Sequence, residues 1–379
     1  MTRKAIVAGA LANKPGNAGG AWERFSYAVG LRRLGFDVLF VEQMNHALHA
    51  DALDWFDVCI RFFGFENSFA LIDHEGCFIG RDRNNLRTFA RECECLMNLS
   101  GHITLKEIVE SVPLSVFIDV DPGFTQIWHV NATADFAIPR HDHYYTLGEN
   151  IGTAECPIPM GGLPWRTTRQ PVLLHRWPVT PIENHQRFTT ISSWRSGFGA
   201  VALNGSTYSL KHHECRKVLL LPQRVDATFE IALDIHKGDH QDRDALNNHG
   251  WHILEPSGVV STPETFRDYI QQSAAEFSVA QGVYARTNSG WFSDRSTRYL
   301  ASGKPVLVQD TGITTIPIGE GIVTFKTLDD AVAGAESILR DYDRHAKAAR
   351  WLAETYFDSD KVLGTMLAEI GIPVSETTR

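Results

Sequence analysis

The segment from Gly290 to Gly312 constrains the fold more than any other part of the sequence. It begins as a loop of glycine and small polar residues, continues as a short helix that Gly303 ends, and becomes a Val/Leu strand after Pro305. A helix followed at once by an apolar strand is typical of an α/β domain with a parallel sheet. The loop also leaves backbone N–H groups unpaired at the helix start, beside serine hydroxyls and Arg295, which suits phosphate oxygens. The segment predicts a nucleotide-diphosphate site.

A second glycine-bearing unit lies at the start of the chain. A strand, a glycine-rich loop over residues 13–20, a helix and a second strand follow one another between Lys4 and Glu42. The loop glycines lack the spacing of the G-x-G-x-x-G dinucleotide fingerprint, which disfavours an oxidoreductase. We expect Gly19 and Gly20 to keep this loop open for an acceptor or a sugar.

The length and the prolines indicate two domains. A chain of 379 residues exceeds the usual size of one domain. The stretch from Cys156 to Pro181 is rich in proline, which excludes a long helix or a central strand and marks a connection between domains. Strand and helix patterns resume at Phe188. The sequence therefore predicts two doubly wound α/β domains in tandem.

Composition narrows the class of function. Hydrophobic residues make up 43% and charged residues 21%, as in ordinary globular proteins, and the formal charge of -9 disfavours a nucleic-acid partner. No apolar stretch approaches the ~20 residues of a membrane span, and the N-terminal apolar run leads directly into a folded pattern rather than a signal peptide. We expect a cytoplasmic protein without a membrane span. The six scattered cysteines and the short histidine pairs predict no metal site.

Polar residues follow two predicted strands of the first domain. His102 comes after an apolar run ending at Ser100, and Asp121 comes after the run from Ser115 to Val120. Ligands of doubly wound sheets bind beyond the carboxyl ends of the strands, so both residues are site candidates. Asp-Pro-Gly is also a common turn sequence, in which Asp121 would only cap the turn.

Together these features resemble the GT-B glycosyltransferases. The residues Ala301-Ser302-Gly303-Lys304-Pro305-Val306, followed by Asp310-Thr311-Gly312, are similar to the donor-binding segment A-x-G-x-P-V … D-x-G of that family. The likeness in motif covers Tyr269 to Gly312, and the likeness in architecture covers most of the chain. The resemblance implies two Rossmann-like doubly wound domains facing a cleft. Its parts are an acceptor-side domain over 1–165, a linker over 166–186, a donor domain over 187–354, and a C-terminal helix over about 355–379 that packs back on the first domain.

The resemblance also implies a reaction and its residues. A glycosyltransferase of the hexosyltransferase type would hold a nucleotide-sugar donor in the second domain and a small-molecule acceptor in the first, without cofactor or metal. Charge develops on the leaving diphosphate, so cations and N–H donors there lower the barrier. An inverting enzyme also needs a base, for which Asp121 is the first choice and His102 the second. The implied donor ligands are Arg195, Lys211, Ser293, Arg295 and Ser296 at the phosphates, with Asp310, Thr311 and Gly312 near the sugar or the domain boundary.

The sequence departs from the family pattern at two places, which leaves alternatives open. Arg298 stands where the family commonly has a ribose-binding Glu, and Tyr284 stands where an acid-x7-acid pattern starting at Glu276 would need its second acid. The anomeric outcome is therefore open. Another GT-B enzyme, such as a nucleotide-sugar epimerase or a phosphorylase, and a catalytically silent nucleotide-sugar-binding module are the alternatives.

The aromatic residues bear on the acceptor. Trp22, Phe124 and Trp128 fall near the loops of the first domain and favour an aromatic, natural-product-like acceptor over a sugar chain. The sequence is compatible with a homodimer.

Overall fold

The computed structural model describes residues 3–131, 138–195 and 197–374. The strand and helix alternation produces two separate sheets, each covered by helices on both faces. The α/β class and the two Rossmann-like doubly wound sheets that the sequence predicted are confirmed. Among the described residues, no helix combines the length and the apolar character that crossing a membrane requires.

The first sheet has eight strands in the order β4-β3-β2-β1-β5-β6-β7-β8. Neighbouring strands are parallel except for the β3–β4 pair at one edge. The strands are β1 (Arg3–Ala8), β2 (Phe36–Gln43), β3 (Phe69–Ile72), β4 (Phe78–Gly80), β5 (Cys95–Leu99), β6 (Ser115–Asp119), β7 (His143–Thr146) and β8 (Trp165–Thr167). The helices are α1 (Ala18–Arg33), α2 (Ala50–Phe63), α3 (Arg83–Glu92), α4 (Lys106–Val109) and α5 (Phe124–Asn131).

The second sheet has six parallel strands in the order β13-β12-β9-β14-β15-β16, which is the Rossmann strand order. Its strands are β9 (Arg187–Ser193), β12 (Thr228–Asp234), β13 (Trp251–Leu254), β14 (Ala275–Ser278), β15 (Val306–Gln309) and β16 (Ile322–Phe325). Strands β10 (Val201–Leu203) and β11 (Ser206–Tyr208) form a separate antiparallel hairpin. The helices are α6 (Lys211–Lys217), α7 (Leu221–Arg224), α8 (His240–Asn248), α9 (Pro256–Val259), α10 (Pro263–Gln271), α11 (Gly282–Arg286), α12 (Asp294–Ala301), α13 (Leu328–Arg340), α14 (Tyr342–Leu352) and α15 (Ser359–Glu369).

Helix α12 forms as its sequence predicts. The Ser293 hydroxyl accepts the N–H of Arg295 and caps the helix start. Gly303, with φ of 72°, ends the helix in a left-handed conformation that favours glycine. A Cβ at Gly303 would also lie 2.9 Å from Cγ1 of Val179, so the connecting segment between the domains packs directly on this turn.

The chain crosses between the two sheets twice, and the crossings lie side by side. The first is the stretch between β8 and β9. The second is a π-helical turn over Ala353–Phe357 that leads into α15. The N–H of Val172 donates to the carbonyl of Phe357 (2.7 Å), and the N–H of Ser359 donates back to Val172 (3.0 Å).

Helix α15 then packs against α1 of the first sheet. Gly30 permits this close approach, because a Cβ there would lie 2.5 Å from Cδ1 of Leu363. Arg33 and Asp360 add an ion pair at the same contact. Of the C-terminal helix that the sequence predicted, residues 375–379 lie outside the described residues.

Candidate functional site

A cleft of about 790 Å³ separates the two sheets at the carboxyl ends of their strands. One wall comes from the β1–α1 loop, the first turns of α1 and the end of β6. The other comes from the ends of β9 and β12 and the starts of α6 and α12. A site that both domains build suits a reaction between two substrates, one bound to each domain.

Asp121 lies in the first wall, and its carboxylate faces the cleft rather than capping its own turn. The buried carboxylate of Asp119 does that work instead, because it accepts the N–H of Asp121 together with side-chain donors from Thr125 and Gln126. The Asp121 Oδ1 accepts a hydrogen bond from the hydroxyl of Tyr284, which belongs to the second domain (3.3 Å). Burial raises the pKa of Asp121, and the positive charges of Lys14 and Arg24 oppose that shift.

Three charged residues of the first wall had no sequence signal of function. Lys14 lines the cleft without an ion-pair partner in the described part of the chain, and burial together with Arg24 lowers its pKa. Arg24 is buried and pairs through Nη1 with the carboxylate of Glu23. The other Glu23 oxygen accepts from Gln170 (3.0 Å), and burial raises the pKa of Glu23. Their positions in the glycine loop and the first turns of α1 are the only clue that the sequence offers.

Lys211 and Arg295 lie in the second wall. The Lys211 ammonium donates to the hydroxyl of Ser192 at 3.2 Å, so two of its three N–H groups stay available. Burial, together with the positive charge of Arg295, lowers the pKa of Lys211 to about 8.

Arg295 is fixed within the wall. Its guanidinium donates to Glu276 (2.6 Å), to the carbonyl of Ile191 (2.7 Å) and to the hydroxyl of Ser278 (2.6 Å). The side chain is 13% exposed and that of Glu276 is fully buried. Arg295 therefore adds positive charge to the cleft from a rigid position.

Of the residues that the sequence singled out, six line the cleft: Gly19, Gly20, Asp121, Phe124, Lys211 and Arg295. His102 does not line it. Burial lowers the pKa of His102 to about 3, and its Nε2 has no hydrogen-bond partner among the described residues. Arg195 points to the outside, where its half-exposed guanidinium pairs with Asp239.

The remaining donor-side residues have local structural contacts. Ser293 caps α12, and the Ser296 hydroxyl is buried without a hydrogen-bond partner in the described ranges. Asp310 accepts the N–H of Gly312 (2.8 Å), and the Thr311 hydroxyl donates to the carbonyl of Trp291 (2.6 Å).

The turn at Gly312 also touches the first domain. The carbonyl of Gly312 accepts the side-chain amide of Asn150 at 2.8 Å, and the same amide donates to the carbonyl of Asn288 (2.9 Å). Asp310, Thr311 and Gly312 thus lie at a contact between the domains and not on the lining of the cleft.

Arg298, at the position of the expected glutamate, points inward. Its side chain is 1% exposed, and Nη1 donates to Oδ2 of Asp294 at 2.6 Å. Asp294 itself lines the cleft. The carboxylate that α12 presents to the cleft is therefore Asp294, which lies one turn nearer the helix start than position 298, where the family commonly has its glutamate.

Aromatic side chains from both domains form part of the lining. Tyr284 stacks on Trp291 at 4.3 Å between ring centroids, and Phe124 meets Tyr284 edge-on at 5.9 Å and Phe198 at 5.4 Å. All four rings border the cleft. Trp22, by contrast, is completely buried, so it belongs to the core of the first domain.

One group of possible metal ligands occurs among the residues described. Asp73, Glu75 and Cys77 lie on the turn between β3 and β4, outside the lining of the cleft. The Asp73 carboxylate accepts the N–H groups of Glu75 and Cys77, which explains its position without a metal.

The two facing Rossmann-like domains and the cleft between them define the GT-B fold. The chain superimposes over 98% of its length on an α-glucosyltransferase solved with UDP and a DNA 13-mer, covering all of that chain, with a TM-score of 0.59 and 10% identity. HepE of Anabaena, solved with UDP and glucose, matches with a TM-score of 0.56 and 10% identity. That match covers 97% of this chain and all of the HepE chain. AviGT4, a glycosyltransferase of avilamycin A biosynthesis, matches with a TM-score of 0.54 and 11% identity. That match covers 97% of this chain and 96% of the AviGT4 chain. The GT-B fold that the resemblance implied is confirmed.

Sequence comparison adds little to this. No protein-family model matches the chain. Three phosphoribosylamine–glycine ligases of Streptococcus pyogenes, from serotypes M6, M18 and M1, are each 25% identical over 121 residues. The match covers 31% of this chain and 27% of those curated relatives, so it spans about a quarter of their length.

Proposed function

We propose that the protein is a glycosyltransferase that moves a sugar from a nucleotide-diphosphate sugar to a small-molecule acceptor without a metal ion. The observation that carries this proposal is the pairing of two groups across the cleft. Lys211, with unused N–H donors, lies in one wall, and the carboxylate of Asp121 lies in the other. The first can hold a leaving diphosphate and the second can take a proton from an acceptor hydroxyl.

On the donor side, Lys211 would bind the diphosphate directly. The reaction builds negative charge on the phosphate oxygens as the bond to the sugar breaks, and a fixed cation in a partly desolvated site lowers the barrier for that step. Arg295 would strengthen the positive potential from behind, because Glu276 already holds its guanidinium. The half-exposed Arg195, paired with Asp239, would contribute less than the sequence suggested.

On the acceptor side, Asp121 would act as the general base of an inverting transfer. Its raised pKa makes it a stronger base than an exposed aspartate, while Lys14 and Arg24 favour its ionised form. The hydrogen bond from Tyr284 orients the carboxylate toward the space between the domains. His102 is a weaker candidate because it does not reach the lining of the cleft.

For the acceptor, the aromatic lining supports a compound with a flat or apolar face. Rings of Phe124, Phe198, Tyr284 and Trp291 offer stacking surfaces from both domains. AviGT4 takes part in the biosynthesis of a natural product, which agrees with such an acceptor. Another similar structure contains DNA, but the net charge of -9 makes a polyanionic acceptor the less favoured proposal here.

A donor screen followed by an assay of product tests the proposal. Thermal shifts with UDP-, GDP- and dTDP-sugars should reveal stabilisation by at least one donor, because a ligand that binds only the folded state raises its stability. Released nucleoside diphosphate should then appear in the presence of small phenolic or polyketide-like acceptors. Absence of stabilisation with every donor would reject the proposal, and binding without any turnover would favour the silent binding module. Interconversion of donors without an acceptor would indicate an epimerase.

A further inference from the structure

Asp294 is a carboxylate of the cleft that the sequence pattern did not single out. It occupies the first position of α12, and its side chain is 26% exposed. Its Oδ2 accepts a hydrogen bond from Arg298, whereas its Oδ1 accepts none from the residues that the structure describes. Asp294 therefore presents a hydrogen-bond acceptor to the cleft in a fixed orientation.

Arg298 provides that orientation. Its guanidinium is almost completely buried, and Nε and Nη2 have no partner within the described ranges. A buried cation is strongly unfavourable without its counter-charge, so the bond to Asp294 is one that the fold must keep. The pair is also neutral overall. Asp294 can therefore accept hydrogen bonds beside an anionic donor without adding net negative charge.

Asp294 lines the same cleft as the two reacting ends of the proposed site, Lys211 and Asp121. Its negative charge favours the charged form of Lys211 and raises the pKa of Asp121, so both groups are within range of its field. In the proposed reaction the diphosphate lies at Lys211 and the acceptor hydroxyl at Asp121. The space between them is the place of the transferred sugar.

We propose that Asp294 binds hydroxyl groups of the transferred sugar and thereby selects it, with Arg298 as its positioning residue. This inference rests on the proposed function. Two neighbouring sugar hydroxyls would donate to the carboxylate, which has acceptor capacity left at both oxygens. The ribose of the nucleotide carries the same diol chemistry, so the experiment has to separate the two sources.

Calorimetric titrations with UDP, UDP-glucose and 2′-deoxy-UDP make this separation. Asp294→Asn should weaken UDP-glucose binding about tenfold, as expected for loss of a hydrogen bond to a charged group, and leave UDP within about twofold. Arg298→Met should give the same selective loss, and Arg298→Lys should restore part of it. Asp57→Asn is the matched control, because Asp57 and Arg61 form an exposed pair with the same spacing on α2.

The alternative outcomes are distinct. Equal weakening of UDP and UDP-glucose by Asp294→Asn, with 2′-deoxy-UDP binding unchanged, would place Asp294 at the ribose and overturn the assignment to the sugar. Unchanged UDP-glucose binding in Asp294→Asn would overturn any role in hydroxyl recognition while leaving the proposed function intact. A wild-type protein that binds no nucleotide sugar would reject the proposed function, and the inference with it.

Discussion

The two walls of the cleft contain the same kinds of side chain but differ in electrostatic character. Each has a lysine and a buried Glu–Arg pair, Glu23–Arg24 in the first wall and Glu276–Arg295 in the second. In the first wall Lys14 acts on the carboxylate of Asp121. In the second, the ammonium of Lys211 donates only to the hydroxyl of Ser192 among the described residues, and Arg295 has the largest effect of any charged neighbour on its pKa.

The same types of side chain therefore suit a different chemical task in each wall. The first wall is balanced in charge and offers a carboxylate of raised pKa, which suits activation of a neutral hydroxyl. The second wall places the cations Lys211 and Arg295 close together, which suits a diphosphate. The function of each wall depends on which charged side chains are neighbours within it. The residue composition of a wall alone does not reveal that arrangement.

The largest effect is expected when the carboxylate of the first wall is neutralised. Asp121→Asn should lower kcat about 10²- to 10⁴-fold, since the acceptor hydroxyl would lose its general base. Donor affinity should change little, because the second wall is untouched. Steady-state kinetics paired with donor titration would check both statements. Retained turnover in a correctly folded Asp121→Asn protein would show that Asp121 is not the general base.

The two Glu–Arg pairs should differ in their contribution to stability. Glu276→Gln should lower the free energy of unfolding by about 3 kcal/mol, because it leaves the guanidinium of Arg295 without a counter-charge in a buried wall. Glu23→Gln should cost about 1 kcal/mol, since burial raises the pKa of Glu23 and disfavours its charged form, and Asp121 remains near Arg24 as a counter-charge. Urea unfolding of both variants makes the comparison. Equal losses in the free energy of unfolding would show that the two Glu–Arg pairs contribute equally to stability.

The two lysines should differ in donor binding. Lys211→Met should weaken nucleoside-diphosphate binding about thirtyfold, in line with the loss of a charge-assisted hydrogen bond to phosphate. Lys14→Met should weaken it by no more than about threefold, because Asp121 and Glu23 offset the charge of Lys14. Calorimetry on both variants decides. A larger loss of affinity in Lys14→Met than in Lys211→Met would indicate that the diphosphate binds at the first wall.

The walls should also contribute separate limbs to the pH profile. Because the folded-state pKa of Lys211 is lowered to about 8, its charge is lost as the pH rises through that value, and donor affinity should fall up to about tenfold between pH 7 and 9. Lys211→Met should lack this limb. At acidic pH the raised pKa of Asp121 should cause kcat to fall as the carboxylate is protonated, and Asp121→Asn should lack that limb instead.

The smallest effect is expected outside both walls. Arg195→Ala should change donor affinity by less than about twofold, since its pair with Asp239 is exposed to solvent and points away from the cleft. Donor titration under the conditions used for Lys211→Met gives a direct comparison. A loss of donor affinity as large as that of Lys211→Met would indicate that Arg195, in the turn after β9, also binds the donor.

The fold could be predicted from sequence because its evidence is local. Buried strands, helix starts and stops, and the proline-rich connection each leave a periodic or compositional signal. Asp121 could be singled out for a related reason, since residues beyond the carboxyl ends of parallel strands meet at one edge of a sheet, whereas Lys211 was implied only by the family resemblance. That rule gives position along a strand and needs no knowledge of the partner domain.

The rest of the site depends on contacts that no local pattern encodes. Asp294 faces the cleft because Arg298 holds it from one turn further along α12. Tyr284 reaches Asp121 from the other domain, a relation between residues far apart in the chain. The same segment also contains Ser293 and Asp310, whose side chains cap a helix and a turn. Sequence does not separate such caps from ligand contacts, because the same side chains favour both.

The return of α15 to α1 has a consequence for the order in which the protein can fold. The first domain is discontinuous, since Leu363 and its neighbours near the end of the chain cover the surface of α1 around Gly30. During synthesis this surface must wait until the whole second domain has left the ribosome. A fragment that stops after β8 would keep its sheet but expose that apolar surface, so the acceptor-side half cannot be obtained intact by simple truncation.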